Sequence, residues 1–226
     1  GCGYFASYLC DKRHHKYGLS LTVQYLRKVL IENWHYAKWV KLGVTCSIIQ
    51  DRGFMYIVTA VLGLSVLAEI SVAKLFLMPI SLLCLSSGKL LFAKGSKLLS
   101  DNKEKEFRSL FVIFTSIVLL VCTCYSLALL AGASLALEVF GEKYGHVTDL
   151  IALWVVYFFV YTLRYQLGIV LLAYKEFRRQ AVFDVYAGIL TVLLCGVLVF
   201  FLERWGAVLA LIVGELITMV LYWKTY

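Results

Sequence analysis

From Lys38 onward, long apolar runs alternate with short clusters of charged residues, and each run reaches the roughly 20 residues that a helix needs to cross a hydrocarbon core. The runs fall at about 38 to 63, 69 to 93, 107 to 131, 148 to 173, 180 to 202 and 206 to 223, and they predict six membrane-spanning helices. Ahead of them, Leu19, Val23, Leu26, Leu30 and Trp34 recur at helical spacing opposite Gln24, Arg27, Lys28 and Glu32, the pattern of an amphipathic interfacial helix. Trp34, Tyr36 and Trp39 supply the aromatic belt expected where a chain enters a membrane. Gly1 to Cys10 is apolar but too short to span, and reads as the cut end of a preceding membrane helix. The predicted organisation is therefore a truncated helix end over 1–10, a basic linker with an amphipathic helix over 11–37, and a transmembrane bundle over 38–226. The fold class is all-α.

Two features interrupt the apolar pattern. Pro79, the single proline, lies inside the second run, where it removes a backbone bond and is expected to kink the helix. The stretch Gly132 to Asp149 carries a second apolar piece, Leu135 to Phe140, and is expected to fold back as a half helix.

Polar residues at membrane depth are the candidates for function, because a charge at the centre of a membrane helix costs about 2.5–3.5 kcal/mol on insertion scales and faces protein or water. Gln50, Asp51 and Arg52 stand together in the first run. Neighbours on a helix are about 100° apart, so the three face different directions. Arg52 shares a stripe with Thr45, Tyr56, Thr59 and Gly63, and is expected to face a cavity; Asp51 aligns with Ser47, Met55 and Val58. In the fourth run Tyr157, Tyr161, Arg164 and Gly168 fall on one stripe, suited to sugars through aromatic faces and phosphate through a guanidinium. Lys89 is a further cavity candidate near a span end, where snorkelling competes. Glu69 and Lys74 lie near the outer edge, within reach of headgroups. Asp184 and Glu215 sit in the last two runs, each suited either to an interhelical hydrogen bond or to ion coupling.

Composition agrees with this pattern: 62% of the 226 residues are hydrophobic and 16% charged, against about 45–50% apolar in soluble domains. The net charge of +8 is gathered in loops between apolar runs, which is a topology signal and not a nucleic-acid signature. Basic residues concentrate on one set of connections, with Lys94 to Arg108 and Lys175 to Arg179 prominent among them, and only Lys74, Lys143 and Arg204 lie on the other. The richer side is thus cytoplasmic, as is the carboxy terminus. Seven cysteines, including the Cys122 and Cys124 pair, lack the spacing of a metal site and read as packing. No metal or other cofactor is expected. The connections are short, and His35 and His146 stand apart from catalytic partners, so an enzyme is disfavoured.

Gln50–Arg52, Leu62–Gly63, Leu67–Lys74, Phe140–Tyr144 and Trp205–Ala210 occur in an order and spacing that resembles the carboxy-terminal half of the multidrug/oligosaccharidyl-lipid/polysaccharide exporter superfamily, closest to its O-antigen flippases. The resemblance covers about residues 20 to 226. It implies one six-helix lobe of a two-lobe protein that rocks about a central cavity in the bacterial inner membrane and moves an undecaprenyl-pyrophosphate-linked oligosaccharide across it. The amino-terminal lobe would be the missing partner. Arg52 and Arg164 would meet the pyrophosphate or acidic sugars; Asp51, and with it Asp184 and Glu215, would be candidates for proton or sodium coupling. Lipid II and multidrug exporters share this fold. One departure is that many relatives carry a proline in the third span of this lobe, where this chain reads Ser126 to Gly132 without one.

Overall fold

A computed structural model describes residues 19–132 and 148–225. Every regular element among them is a helix: α1 (Leu19–Leu62), α2 (Leu64–Phe76), α3 (Met78–Ser100), α4 (Glu104–Ala131), α5 (Thr148–Ala173) and α6 (Phe177–Thr225). The chain divides into two compact units, 1–39 and 40–226, each taken by itself. In the first, the described residues are the opening part of α1, where Lys38 lies over the Trp39 ring at 5.4 Å. α1 runs from Leu19 to Leu62, over both the amphipathic stretch and the first apolar run. No proline interrupts the ladder there, and two isolated glycines, Gly43 and Gly53, are too weak to break it. The expected half helix after Gly132, the stub over 1–10 and the linker residues 11–18 lie outside the described residues.

In the second unit α5 is the central helix, packing against α2, α3, α4 and α6. Its inner face presents Leu150, Ile151, Trp154, Tyr157 and Phe158, which join Ile70, Ala73, Cys84, Val118, Cys195 and Leu211 in one apolar core. The helices alternate in direction around it, and the contacts at their ends show this. Near one end, Phe107 at the start of α4 fills the space beside Gly95 late in α3 and meets the Tyr174 ring edge-on at 5.7 Å just beyond α5. A side chain at Gly95 would collide with the Phe107 ring, so the glycine is what admits it. Towards the other end, Lys74 of α2 lies 5.4 Å from the Trp154 ring near the start of α5.

Two of the turns at the Phe107 end close in the same way. Asn102 (φ 57°) and Lys175 (φ 63°) adopt left-handed backbone. Lys103 N–H reaches the Leu98 carbonyl at 2.9 Å and Asn102 N–H that of Leu99 at 3.2 Å; Glu176 and Lys175 repeat this pairing with Leu171 and Leu172. These are Schellman caps, which satisfy carbonyls that a helix end otherwise leaves open.

The last helix is interrupted at Glu203 (φ 48°, ψ −127°), where the chain reverses. Phe183 and Tyr222 are ring neighbours at 6.2 Å, Gly214 faces Thr191 and Gly206 faces the Leu198 backbone, so residues 177–202 and 204–225 are antiparallel neighbours. The turn expected between the runs at 180–202 and 206–223 is therefore present within α6.

The second expected run is broken. α2 and α3 are two helices bent by 51° about Leu77, with Pro79 in the first turn of α3. Pro79 has no N–H to return to Leu75, and its ring would crowd that carbonyl, so the ladder stops two residues ahead of it. Ile80 N–H bonds the Leu77 carbonyl at 3.1 Å, which leaves the Phe76 carbonyl to the Tyr125 hydroxyl of α4, donating at 2.6 Å.

Among the described residues three helical stretches, Glu104–Ala131, Asp149–Ala173 and Phe177–Lys224, are long and apolar enough to cross a membrane, and the bent α2–α3 pair makes a fourth if it is one span. α1 is not among them, because Gln50, Asp51 and Arg52 lower the apolarity of its middle.

Candidate functional site

Tyr161 and Arg164 lie one turn apart on α5, and the packing of α5 against α6 carries Arg164 between the two antiparallel halves of that helix. On the second half, Ala207, Val208, Leu211, Glu215, Thr218 and Tyr222 form the buried face at helical spacing, so Glu215 occupies a position that apolar neighbours otherwise define. The reversal at Glu203 then sets Asp184 of the first half beside Tyr222 of the second.

The result is a compact polar cluster. Arg164 turns its Nε and Nη2 onto the Glu215 carboxylate, Nε in an ion pair with Oε2 and Nη2 at 3.4 Å from Oε1. The Nη2 contact is a hydrogen bond, and the Nε contact is an ion pair that lacks hydrogen-bond geometry. Its Nη1 lies 3.8 Å from Asp184 Oδ1, which also accepts a hydrogen bond from the Tyr222 hydroxyl at 2.5 Å. The guanidinium sits over the Tyr161 ring, 5.5 Å from its centre. Glu215 is only 6% exposed by its side chain, and Arg164 and Asp184 19% and 20%. One guanidinium thus faces two carboxylates, in helices apolar enough to lie in a membrane.

An aromatic ladder leads along α5 from this cluster. Tyr161 stacks on Tyr157 at 6.0 Å and on Tyr165 at 5.8 Å, and Tyr157 meets Trp154 edge-on at 5.0 Å. The sequence placed Tyr157 on a stripe open to sugar, but the structure buries it among Trp154, Phe158 and Tyr161, whose rings occupy its faces. Tyr161 is half-buried, between its ladder neighbours and Arg164.

The remaining candidates are elsewhere. Asp51 is exposed and pairs with Lys74 of α2 at 3.9 Å. Arg52 and Tyr56 lie on an exposed stripe of α1, Tyr56 at 74% exposure, and Lys89 is exposed on α3; none of the three belongs to the Arg164 cluster. Glu69 and Lys74, which the sequence places near the outer edge within reach of headgroups, are tied across helices, Glu69 accepting from Arg204 Nη1 at 3.1 Å and Lys74 pairing with Asp51. Both belong to a helix whose inner face is in the core, so their stems start close to neighbouring helices.

Sequence reasoning singled out Arg164, Asp184 and Glu215 separately, and missed that they meet and that Tyr222 completes them. A signal was present. Asp184 and Tyr222 stand equally far from Glu203 on either side, so folding the last two runs about that residue brings them together. Cys84 of α3 and Cys122 of α4 also converge on Thr162 of α5, their sulfurs 3.3 and 4.0 Å from its hydroxyl oxygen. Thr162 donates to the Phe158 carbonyl at 2.7 Å and so receives the thiols; the set reads as packing of three helices.

No protein family, curated protein or solved structure matches this chain.

Proposed function

We propose that the chain is one lobe of a membrane transporter that flips a lipid-linked oligosaccharide across the bacterial inner membrane by alternating access, with six spans counted from α1 to the two halves of α6. The observation that carries this reading is the Arg164–Glu215–Asp184 cluster inside helices apolar enough for a membrane. Ionisable residues at membrane depth are costly and accompany substrate or ion pathways. The chain resembles flippases of this kind through its spaced motifs, and a second lobe would complete the cavity. In this reading Arg52 and Tyr56, exposed on α1, meet the anionic headgroup, with Lys89 as a further contact. Asp184 and Glu215 couple flipping to a proton or sodium ion, and no cofactor takes part.

The test is made in the intact gene. Glu215→Gln and Arg52→Ala are expected to leave the protein in the membrane at its normal level and to abolish surface polysaccharide. Normal polysaccharide from both variants would overturn the reading.

One observation favours a second reading, an exporter of cationic compounds. Arg164 is already held by two carboxylates, so the cluster offers more negative than positive groups and draws a cation in preference to phosphate. Efflux of a cationic dye that Glu215→Gln abolishes, with surface glycan unchanged, would establish it.

A further inference from the structure

α2 is unlike every other described helix. It is 13 residues long, about 20 Å, and has a break in the chain at each end. At its start Gly63 has φ 87° with open space where a side chain would stand, so the glycine serves the backbone angle and not close packing. At its end is the 51° bend about Leu77.

Between these two breaks α2 carries two charges, and each is tied to a different helix. Glu69 accepts from Arg204, one residue beyond the reversal of α6. Lys74 pairs with Asp51 of α1 and lies over Trp154 of α5. The carbonyl released at the bend is held by Tyr125 of α4. The ties to α1, α4 and α6 are all made through side chains, and none is a backbone ladder bond. They are also only partly buried, the Glu69 and Arg204 side chains being 18% and 32% exposed and Asp51 57%. Such bonds exchange readily with water or a headgroup, whereas the apolar contacts of Ile70 and Ala73 against the core are non-directional and tolerate a small rotation.

We propose that α2 is a two-hinged gate, pivoting at Gly63 and Leu77, and that Glu69–Arg204 and Lys74–Asp51 are the latches that hold it in the position seen here. The proposal rests on the alternating-access reading and adds which segment moves. Hinges of this kind are loop or element-terminal residues that absorb a change of backbone angle, the positions that Gly63 and Leu77 occupy. One latch engages Arg204 beside the reversal of α6, so the gate bears on the turn that joins the two halves of that helix.

The experiment measures distance and not flux. Spin labels are placed at the exposed positions Ser71 on α2 and Leu202 at the α6 turn, in the full-length protein with its other cysteines replaced by alanine and reconstituted in lipid. The unaltered latch is expected to give one dominant short distance. Arg204→Gln should add a second, longer population of at least one third of the molecules, and the exchanged pair Glu69→Arg with Arg204→Glu should restore the short one. Tyr125→Phe, which leaves every charge in place, is the second variant and should shift the distribution the same way to a smaller degree. A distribution unchanged by both Arg204→Gln and Tyr125→Phe overturns the gate. Movement of α2 in a protein that flips nothing would instead sink the transport reading and leave the gate standing.

Discussion

At the scale of single residues the cluster between α5 and α6 is expensive to hold. Each buried charge forfeits several kcal/mol of hydration, which mutual attraction recovers only with good geometry. Arg164 recovers part of that cost through one hydrogen bond and ion pairs to Glu215 and Asp184, and Tyr222 satisfies part of Asp184. Removing only the guanidinium, as in Arg164→Leu, is expected to destabilise the fold by about 3–5 kcal/mol because two carboxylates lose their counter-ion. Replacing all three charges together, with Arg164→Met, Asp184→Leu and Glu215→Leu, should come out near neutral or stabilising by about 1–4 kcal/mol. Reversible unfolding in mixed detergent micelles reads both. A triple variant as unstable as the single one would mean that the charges are essential to the fold itself. The types of these residues were legible in the sequence, since a charge in an apolar run stands out without any knowledge of its neighbours. Their pairing was not, because it depends on how two helices register across Glu203 and on which way α5 faces.

Helices as elements were legible from apolar length, and their ends less so. Period and composition located α4 and α5 to within a few residues, because both are bounded by polar clusters. The α2–α3 break was half visible. Pro79 announces a kink, but the sequence does not show that the ladder gives way at Leu77, since that depends on a steric clash one turn back. Nor does it show Tyr125, forty-nine residues away, covering the released carbonyl. Tyr125→Phe removes only the hydroxyl and with it the hydrogen bond to the Phe76 carbonyl, so a loss of about 0.5–1.5 kcal/mol is expected in thermal unfolding. A variant as stable as the parent would show that lipid or water serves that carbonyl equally well. The change from amphipathic to apolar pattern after Tyr36 lies close to the division of the chain into units at 39/40, although α1 itself runs from Leu19 to Leu62.

Across the whole molecule the alternation of helices places the Asn102 and Lys175 turns at the end marked by Phe107, and the Glu203 turn with Lys74 and Trp154 at the other. Single cysteines introduced at Asn102 and at Lys175 should therefore react with a membrane-impermeant maleimide from one side of oriented vesicles, and one at Glu203 from the opposite side. Reaction of all three from one side would mean that α6 does not cross. The excess of Lys and Arg on one set of connections predicts the first side to be cytoplasmic. The reversal at Glu203 has a further consequence, which is one of phase. Residues 177–202 and 204–225 run past each other with Leu198, Thr191 and Asp184 opposite Gly206, Gly214 and Tyr222. One residue inserted between Glu203 and Gly206 would turn the second half by about 100° about its own axis. Gly206 and Gly214 would leave the seam, their places filled by side chains with no room there. Glu215 would be aimed away from Arg164. The count of residues in that short turn thus acts as a clock hand for the buried carboxylate three turns away.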